Sequence, residues 1–355
     1  MTTDVTPTEG PLTPEELQLA TRNRGMPLEG LAYDVTPTGM HYLLIHFDIP
    51  ALDPMAWRLQ IAGNVDRPLS ISLDDIRARP ARTIPVTMEC AGNGRARLVP
   101  RPISNPWLVE AIGTAEWTGT PLRDVLADAG VRPGTVELVF TGADHGVQGD
   151  VEQDYARSLP VEEVSRPEVL LAYEMNSRPL EPQHGAPLRL LVPGWYGMTS
   201  VKWLSRIEAV TEPFRGYQQV ESYRYKQREE EPGEGVTRIR VRALMIPPGY
   251  PDFLTRRRFV DAGPVLLRGR AWSGTAPIVR VEVGVDDAWE EAKVEPAIAE
   301  FAWCAWSHQW NATPGEHTLS CRATDADGNT QPVDQPWNYQ GMGNNLVHMV
   351  PVTVR

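Results

Sequence analysis

The chain has 355 residues and a formal charge of −12 at pH 7, with 46 acidic side chains against 34 basic ones. That balance argues against a nucleic-acid surface, which needs clustered Lys and Arg to displace counterions, and against docking on an anionic membrane. The length exceeds what one ordinary core fills, so about two domains are expected.

Hydrophobic residues make up 41% of the chain, enough for packed interiors, and 33 prolines and 29 glycines fall without a period. Short strands and many loops fit that punctuation better than long helices do. No window approaches the roughly 18 uninterrupted apolar residues that a membrane-spanning helix needs. The stretch Met1-Thr2-Thr3-Asp4-Val5-Thr6-Pro7 has neither the basic nor the apolar region of a secretory leader. Cys90, Cys304 and Cys321 are odd in number and widely spaced, which argues against a disulfide framework. A cytoplasmic setting is therefore expected, although a chain trimmed of an export leader would read the same.

In chain order, Pro14–Ala20 reads as a short helix with Thr13 as its N-cap and Pro14 at the first helical position. His41–Pro50 and Trp57–Ala62 read as strands, the second with clear alternation, and Ser72 caps a short helix through Ile76. An apolar run, Thr83–Thr87, leads into Met88-Glu89-Cys90-Ala91-Gly92-Asn93-Gly94-Arg95. Pro121–Ala129 is a helix stopped by Gly130. Val136–Thr141 is a strand that empties into a polar loop at 142–146, and Val169–Glu174 and Leu188–Pro193 are two more strands. Such alternation suggests a mixed α+β domain. Gln227–Gly235 is charged, with Pro and Gly and no apolar residue, and is the best linker. Beyond it, evenly spaced strands at 266–272, 279–285, 302–306, 317–323 and 347–354 suggest an immunoglobulin-like β-sandwich.

Cys90 sits on a turn that small side chains leave open, with Arg95 near enough to favour a thiolate. From the residues alone it is either a nucleophile or soft metal ligand, or a buried packing residue. The seven histidines show no zinc-ligand spacing, no Cys-x-x-Cys occurs, and neither a Gly-x-Gly-x-x-Gly nor a P-loop follows a strand. Tyr217, Tyr223 and Tyr225 cluster before the linker, where most such rings serve packing. His184, Arg189 and Lys202 flank turn residues; they make ordinary loop hydrogen bonds or together clamp a phosphate-bearing ligand.

Met88–Arg95, Pro106-Trp107 and Thr114–Leu126 resemble, in order, motifs of the sulfite oxidase family of molybdenum enzymes. The likeness continues through Ala172–Asn176, His184–Arg189, Val192-Pro193-Gly194, Val201–Leu204 and Tyr225-Lys226. Arg270–Gly274, Arg322–Asp325, Gly328–Pro332 and Trp337–Gly341 are similar to that family's dimerisation domain. The resemblance implies an α+β molybdopterin-binding domain over residues 1–235, with 1–25 a loosely attached arm, and an immunoglobulin-like domain over 236–355 that pairs two subunits. It implies molybdenum and molybdopterin as cofactors and Cys90 as the protein's metal ligand. Tyr42, His46, Asp144, His184, Arg189, Ser200, Val201 and Lys202 would hold the pterin and its phosphate. Tyr225 would be the active-site phenol, and Arg95 and Trp107 would line the anion pocket.

Two positions depart from the family's pattern. Phe-x-Arg-Asn-His reads Tyr42-Leu43-Leu44-Ile45-His46, so Leu44 stands where a substrate-binding arginine is expected. Trp-x-Trp-Arg-x-Trp reads Phe301–Trp306, which puts Cys304 at a second such position. Each charge-assisted contact is worth about 1.5–3 kcal/mol, so losing two changes the binding problem. The resemblance implies oxidation of sulfite to sulfate, with electrons leaving to a separate acceptor such as a cytochrome. An S-oxide or N-oxide is the alternative substrate, and a non-catalytic β-rich binding protein is the alternative of another class.

Overall fold

The computed structural model describes residues 7–334 and 336–355. The first half is built on two sheets. One runs Leu69–Ser72, Arg58–Gly63, Leu204–Val210, Glu137–Gln148, Val151–Pro160, with Arg58–Gly63 and Leu204–Val210 parallel and the other neighbours antiparallel. The other runs Arg82–Glu89, Ile112–Pro121, Leu170–Met175, Arg178–Pro179, with Arg189–Leu191 also on Leu170–Met175. Leu59 and Ile61, alternate residues of one strand, are buried while Arg58 and Gln60 on the other face are exposed, as the pattern of that strand requires.

The second half is a two-sheet sandwich. Four strands, Arg242–Met245, Gly263–Trp272, Cys304–Ala312 and Lys293–Val294, form one sheet. Six form the other: Tyr250–Pro251, Arg258–Val260, His348–Val354, Gly315–Asp325, Ile278–Val285 and Ala288–Glu291. The buried faces of both sheets, among them Val281, Val283, Trp306, Leu319 and Val352, make a core of their own. The two halves are nevertheless not separate bodies. Val236, Ile239, Leu244, Trp272, Trp303 and Met342 are buried in the same apolar cluster as Leu59, Ile61 and Phe140 of the first half.

The helices lie where their caps place them. Pro14–Arg22 starts on a complete capping box between Thr13 and Glu16, Leu73–Arg77 starts on Ser72, and Leu122–Ala129 stops at Gly130 with φ +68. Three expectations differ. Residues 41–50 form no strand: Leu43 makes a single bridge with Arg24, Ile45 N–H donates to the Asn23 side chain at 2.7 Å, and the Leu44 carbonyl accepts from Lys202. With side chains meeting its backbone groups, the segment needs no neighbouring strand, and its rings are free to line a cleft. The stretch 142–146, expected as a loop, continues the strand Glu137–Gln148 past a register shift between Thr141 and His145. The arm is not loose. Glu16 is wholly buried and takes a forked ion pair from Arg101 (2.7 and 2.9 Å), because a buried carboxylate must be met by a cation. Residues 1–6 of it lie outside the described part.

Candidate active site

The strand Arg82–Glu89 delivers Cys90 to a turn that is fastened from several sides. Cys90 N–H donates to Ala111 O, and its carbonyl accepts from Asn93 N–H. Asn93 is the hub: its amide donates to Glu89 Oε1 (3.0 Å) and Val109 O (3.1 Å), and its oxygen accepts from Ala111 N–H (3.1 Å). Glu89 also accepts from the Trp272 indole at 2.8 Å and faces Arg242 at 3.0 Å. A Cβ at Gly92 would stand 2.7 Å from the Arg95 guanidinium carbon that lies over it, so any larger residue there would displace the Arg95 side chain.

Burial pushes the Cys90 thiol up in pKa, and the Arg95 charge, the Gly92 N–H and the Trp107 indole pull it down by less. The sequence expectation that Arg95 makes a thiolate is therefore reversed. The thiol stays protonated until something soft and positive replaces the proton.

Cys90 opens on two clefts. The first, of about 670 Å³, is lined by Tyr42, His46, Asp144, His184, Arg189, Ser200, Val201 and Lys202, all expected from the sequence, and by His41, Tyr155 and Tyr223, which were not. Its buried groups are strained electrostatically by desolvation. Burial holds His184 down to about 2, His41 to about 4 and Lys202 to about 7, lowers Arg189 to about 10, and raises Asp144 to about 7. Neither Arg189 nor Lys202 is in an ion pair among the described residues. Arg189 donates to the His184 and Ser200 carbonyls at 3.0 Å, and Lys202 donates to the Leu44 and Gln183 carbonyls at 2.8 and 3.0 Å. His46 meets Gln148 at 2.7 Å.

The second cleft, of about 870 Å³, adjoins the first and shares Leu44, His46, Cys90 and Tyr223 with it. Arg95, Trp107, Leu44, Phe47, Tyr223 and Met342 line it. Arg95 is buried and, among the described residues, bound only by neutral acceptors: the Gln340 carbonyl at 3.0 Å, the Asn105 carbonyl at 3.4 Å and the Met342 sulfur at 3.4 Å.

Two sequence assignments are corrected. Tyr225 lines neither cleft; its ring stacks under Arg240 at 4.4 Å and its hydroxyl lies against Gly343. Of the clustered tyrosines, the one facing Cys90 is Tyr223, whose φ of +56 turns the chain so that alternate tyrosines point apart. Burial raises its pKa to about 12, so it remains a hydrogen-bond donor. Cys304 is not in the pocket either. Its thiol donates to the Ala271 carbonyl inside the sandwich core, and the residues of the second half that do reach Arg95 are Gln340 and Met342. Tyr223 was visible as one of three clustered tyrosines; nothing periodic marked Met342 or His41.

Among the described residues no three His, Cys, Asp or Glu side chains come together to hold a metal ion, so a metal on Cys90 needs its other ligands from a bound group. The first cleft fits such a group. His184 Nε2, His41 Nε2 and Arg189 Nε are buried without a partner, and the surplus of buried cations calls for an anion.

A family model described as the oxidoreductase molybdopterin binding domain matches residues 46–218, and one described as the Mo-co oxidoreductase dimerisation domain matches 236–355. The mitochondrial sulfite oxidase of Rattus norvegicus is 34% identical over 90% of this chain and 62% of its own length. The NADH nitrate reductase of Solanum lycopersicum is 29% identical over 90% of this chain and 38% of its own. The chain thus spans less than two thirds of either relative. The crystal structure of the sulfane dehydrogenase SoxCD from Paracoccus pantotrophus superposes with a TM-score of 0.80 at 24% identity, covering 98% of this chain and 93% of that one, and so shares the fold.

Proposed function

Since this chain belongs to the sulfite oxidase family of molybdopterin enzymes, matching its cofactor-binding and dimerisation models in order, we propose that it oxidises a small sulfur oxyanion, sulfite in the first instance, to the next oxidation level. The overall change is SO3²⁻ + H2O → SO4²⁻ + 2 H⁺ + 2 e⁻, and the electrons leave to a separate one-electron acceptor such as a cytochrome. A homodimer formed through residues 236–355 is part of the same proposal. The observation that carries it is a buried thiol that lines both an anion-receptive cleft and an adjoining pocket with one guanidinium.

When bound, the molybdenum cofactor supplies two-electron redox change coupled to oxygen transfer. The chain's own residues do the rest. Arg189, Lys202 and His184 would hold the phosphate end, with the carbonyls that now occupy them already fixing their direction. Asp144, near neutrality at about 7, can donate or accept a hydrogen bond to a ring edge as needed. His46 and Tyr42 flank it, and Ser200 and Val201 offer backbone groups. Arg95 would orient the oxyanion, Tyr223 would donate its phenol proton to it, and the Trp107 indole steadies the Cys90 sulfur.

The test is ferricyanide reduction driven by sulfite in molybdenum-loaded protein. Wild type should turn over and Cys90→Ser should not, with circular dichroism unchanged. An active Cys90→Ser would refute the ligand assignment, and a loaded wild type inert to sulfite would refute the substrate. Reduction of an S-oxide or N-oxide is the second reading, favoured by the uncharged Leu44 in the pocket wall.

A further inference from the structure

Arg95 has five N–H donors. Three are engaged: Nε with the Gln340 carbonyl at 3.0 Å, one on Nη1 with the Asn105 carbonyl at 3.4 Å, and one on Nη2 with the Met342 sulfur at 3.4 Å. Two N–H groups remain without a partner among the described residues, enough to meet two oxygens. Around them Leu44, Phe47, Trp107, Tyr223 and Met342 make a largely apolar wall, with His46, Ser104 and Gln148 as polar groups elsewhere on the cleft, so a substrate group turned toward Met342 and Leu44 meets carbon and thioether sulfur.

Met342 is held in place by its own backbone. Its N–H donates to the Asn338 side-chain oxygen at 2.9 Å, and its carbonyl accepts from the Asn338 amide at 2.9 Å. Directly after it the strap is stitched to the cysteine turn, with Gly343 N–H on the Ala91 carbonyl and the Asn344 amide on the Gly94 carbonyl, both at 2.7 Å. A thioether so fixed is a permanent, polarisable, uncharged wall.

We infer that Met342 sets the specificity of this pocket and that the substrate class it selects is the organic sulfinates, R–SO2⁻: two oxygens for the two free N–H groups and an apolar R for the wall. This rests on the oxygen-transfer reading above and narrows it. The reaction is R–SO2⁻ + H2O → R–SO3⁻ + 2 H⁺ + 2 e⁻. The sulfur lone pair becomes the new S–O bond, the C–S bond is kept, the added oxygen comes from water, both protons go to solvent, and both electrons go to a one-electron oxidant, ferricyanide in the assay.

The experiment compares kcat/KM for benzenesulfinate and sulfite in molybdenum-loaded wild type and Met342→Arg. The same proteins are titrated by calorimetry with benzenesulfonate and sulfate, which reads the pocket without turnover. Wild type should favour the sulfinate and the sulfonate, and Met342→Arg should shift both ratios at least tenfold toward the inorganic anion. Met342→Gln, of similar shape, repeats the comparison if the arginine is not tolerated. A wild type that favours sulfite, or ratios that move less than tenfold, would overturn the inference. Loaded protein that oxidises neither anion would instead sink the oxygen-transfer reading, while calorimetry would still decide whether the pocket prefers the organic anion.

Discussion

Arg242 and Glu89 form an ion pair at 3.0 Å with side-chain exposures of 1% and 2%, and it ties the second half of the chain to the residue before Cys90. Replacing Arg242 by Met keeps the volume and strands the carboxylate. Exposed pairs are worth about 0–1 kcal/mol, but breaking a buried one costs about 3–5 kcal/mol, because an uncompensated charge is left in the interior. The guanidinium nitrogen nearest Glu89 approaches at an angle that makes no hydrogen bond, so the carboxylate depends on Trp272 and Asn93 for directed contacts and on Arg242 for charge. Burial already raises the Glu89 pKa against the pull of Arg242. Without Arg242 it rises further, and stability then falls as pH climbs through the range between the unfolded value and the new one, since there the folded chain holds the extra proton. Arg242→Met should thus be costliest at neutral pH and milder in acid. Glu89→Gln should cost a similar amount by stranding the arginine, and the double variant should return to within about 1–2 kcal/mol of wild type. Urea unfolding followed by both tryptophan fluorescence and circular dichroism closes the cycle, and molybdenum content reads the effect on the Cys90 turn. Single variants costing under about 1 kcal/mol, or costs that simply add in the double, would refute the reasoning.

Tyr223→Phe should lower kcat/KM by about ten- to a hundredfold, the value of one hydrogen bond to a charged group, whereas Tyr225→Phe should leave it nearly unchanged; steady-state kinetics on loaded protein decide, and the opposite order would restore Tyr225 to the site. Burial has moved Lys202 from 10.5 down to about 7. Between those values the unfolded chain binds the additional proton, so cofactor-free protein should gain stability as pH rises from about 7 toward 10.5. Saturating inorganic phosphate or Lys202→Met should flatten that limb in urea titrations, and a limb already flat without phosphate would count against an anion site there.

Features carried by local chemistry were legible in the sequence. The Thr13–Glu16 capping box, the Gly130 stop and the alternation of Leu59 and Ile61 each depend on neighbours a few residues away. The cofactor-side set from Tyr42 to Lys202 came from motif resemblance, and the chain brings all of it to one cleft. What failed was decided at long range. Residues 41–50 have a strand's composition, but Asn23, Arg24 and Lys202 supply their backbone partners. Choosing Tyr223 over Tyr225 requires the sign of one φ angle, which tyrosine's propensities do not encode. Cys304 was singled out by its place between tryptophans, yet strand pairing with Ala271 points its sulfur into the sandwich.

The same long-range contacts settle what the second half contributes. The Ala91 and Gly94 carbonyls, on either side of Gly92 in the turn that presents Cys90, accept from Gly343 and Asn344, about 250 residues away in sequence. The Glu89 carboxylate is met by Trp272 and Arg242, and the Arg95 Nε–H by Gln340. Buried acceptors without donors cost about 1–3 kcal/mol each, and the stranded Glu89 costs more. A first half on its own would bear those costs together, with the apolar surface under Val236, Ile239 and Trp303 newly exposed. The turn is therefore a joint product of both halves. A change in how the second half sits is felt at Cys90 and Arg95 before it reaches the cofactor-side cleft, whose walls come wholly from residues 41–223.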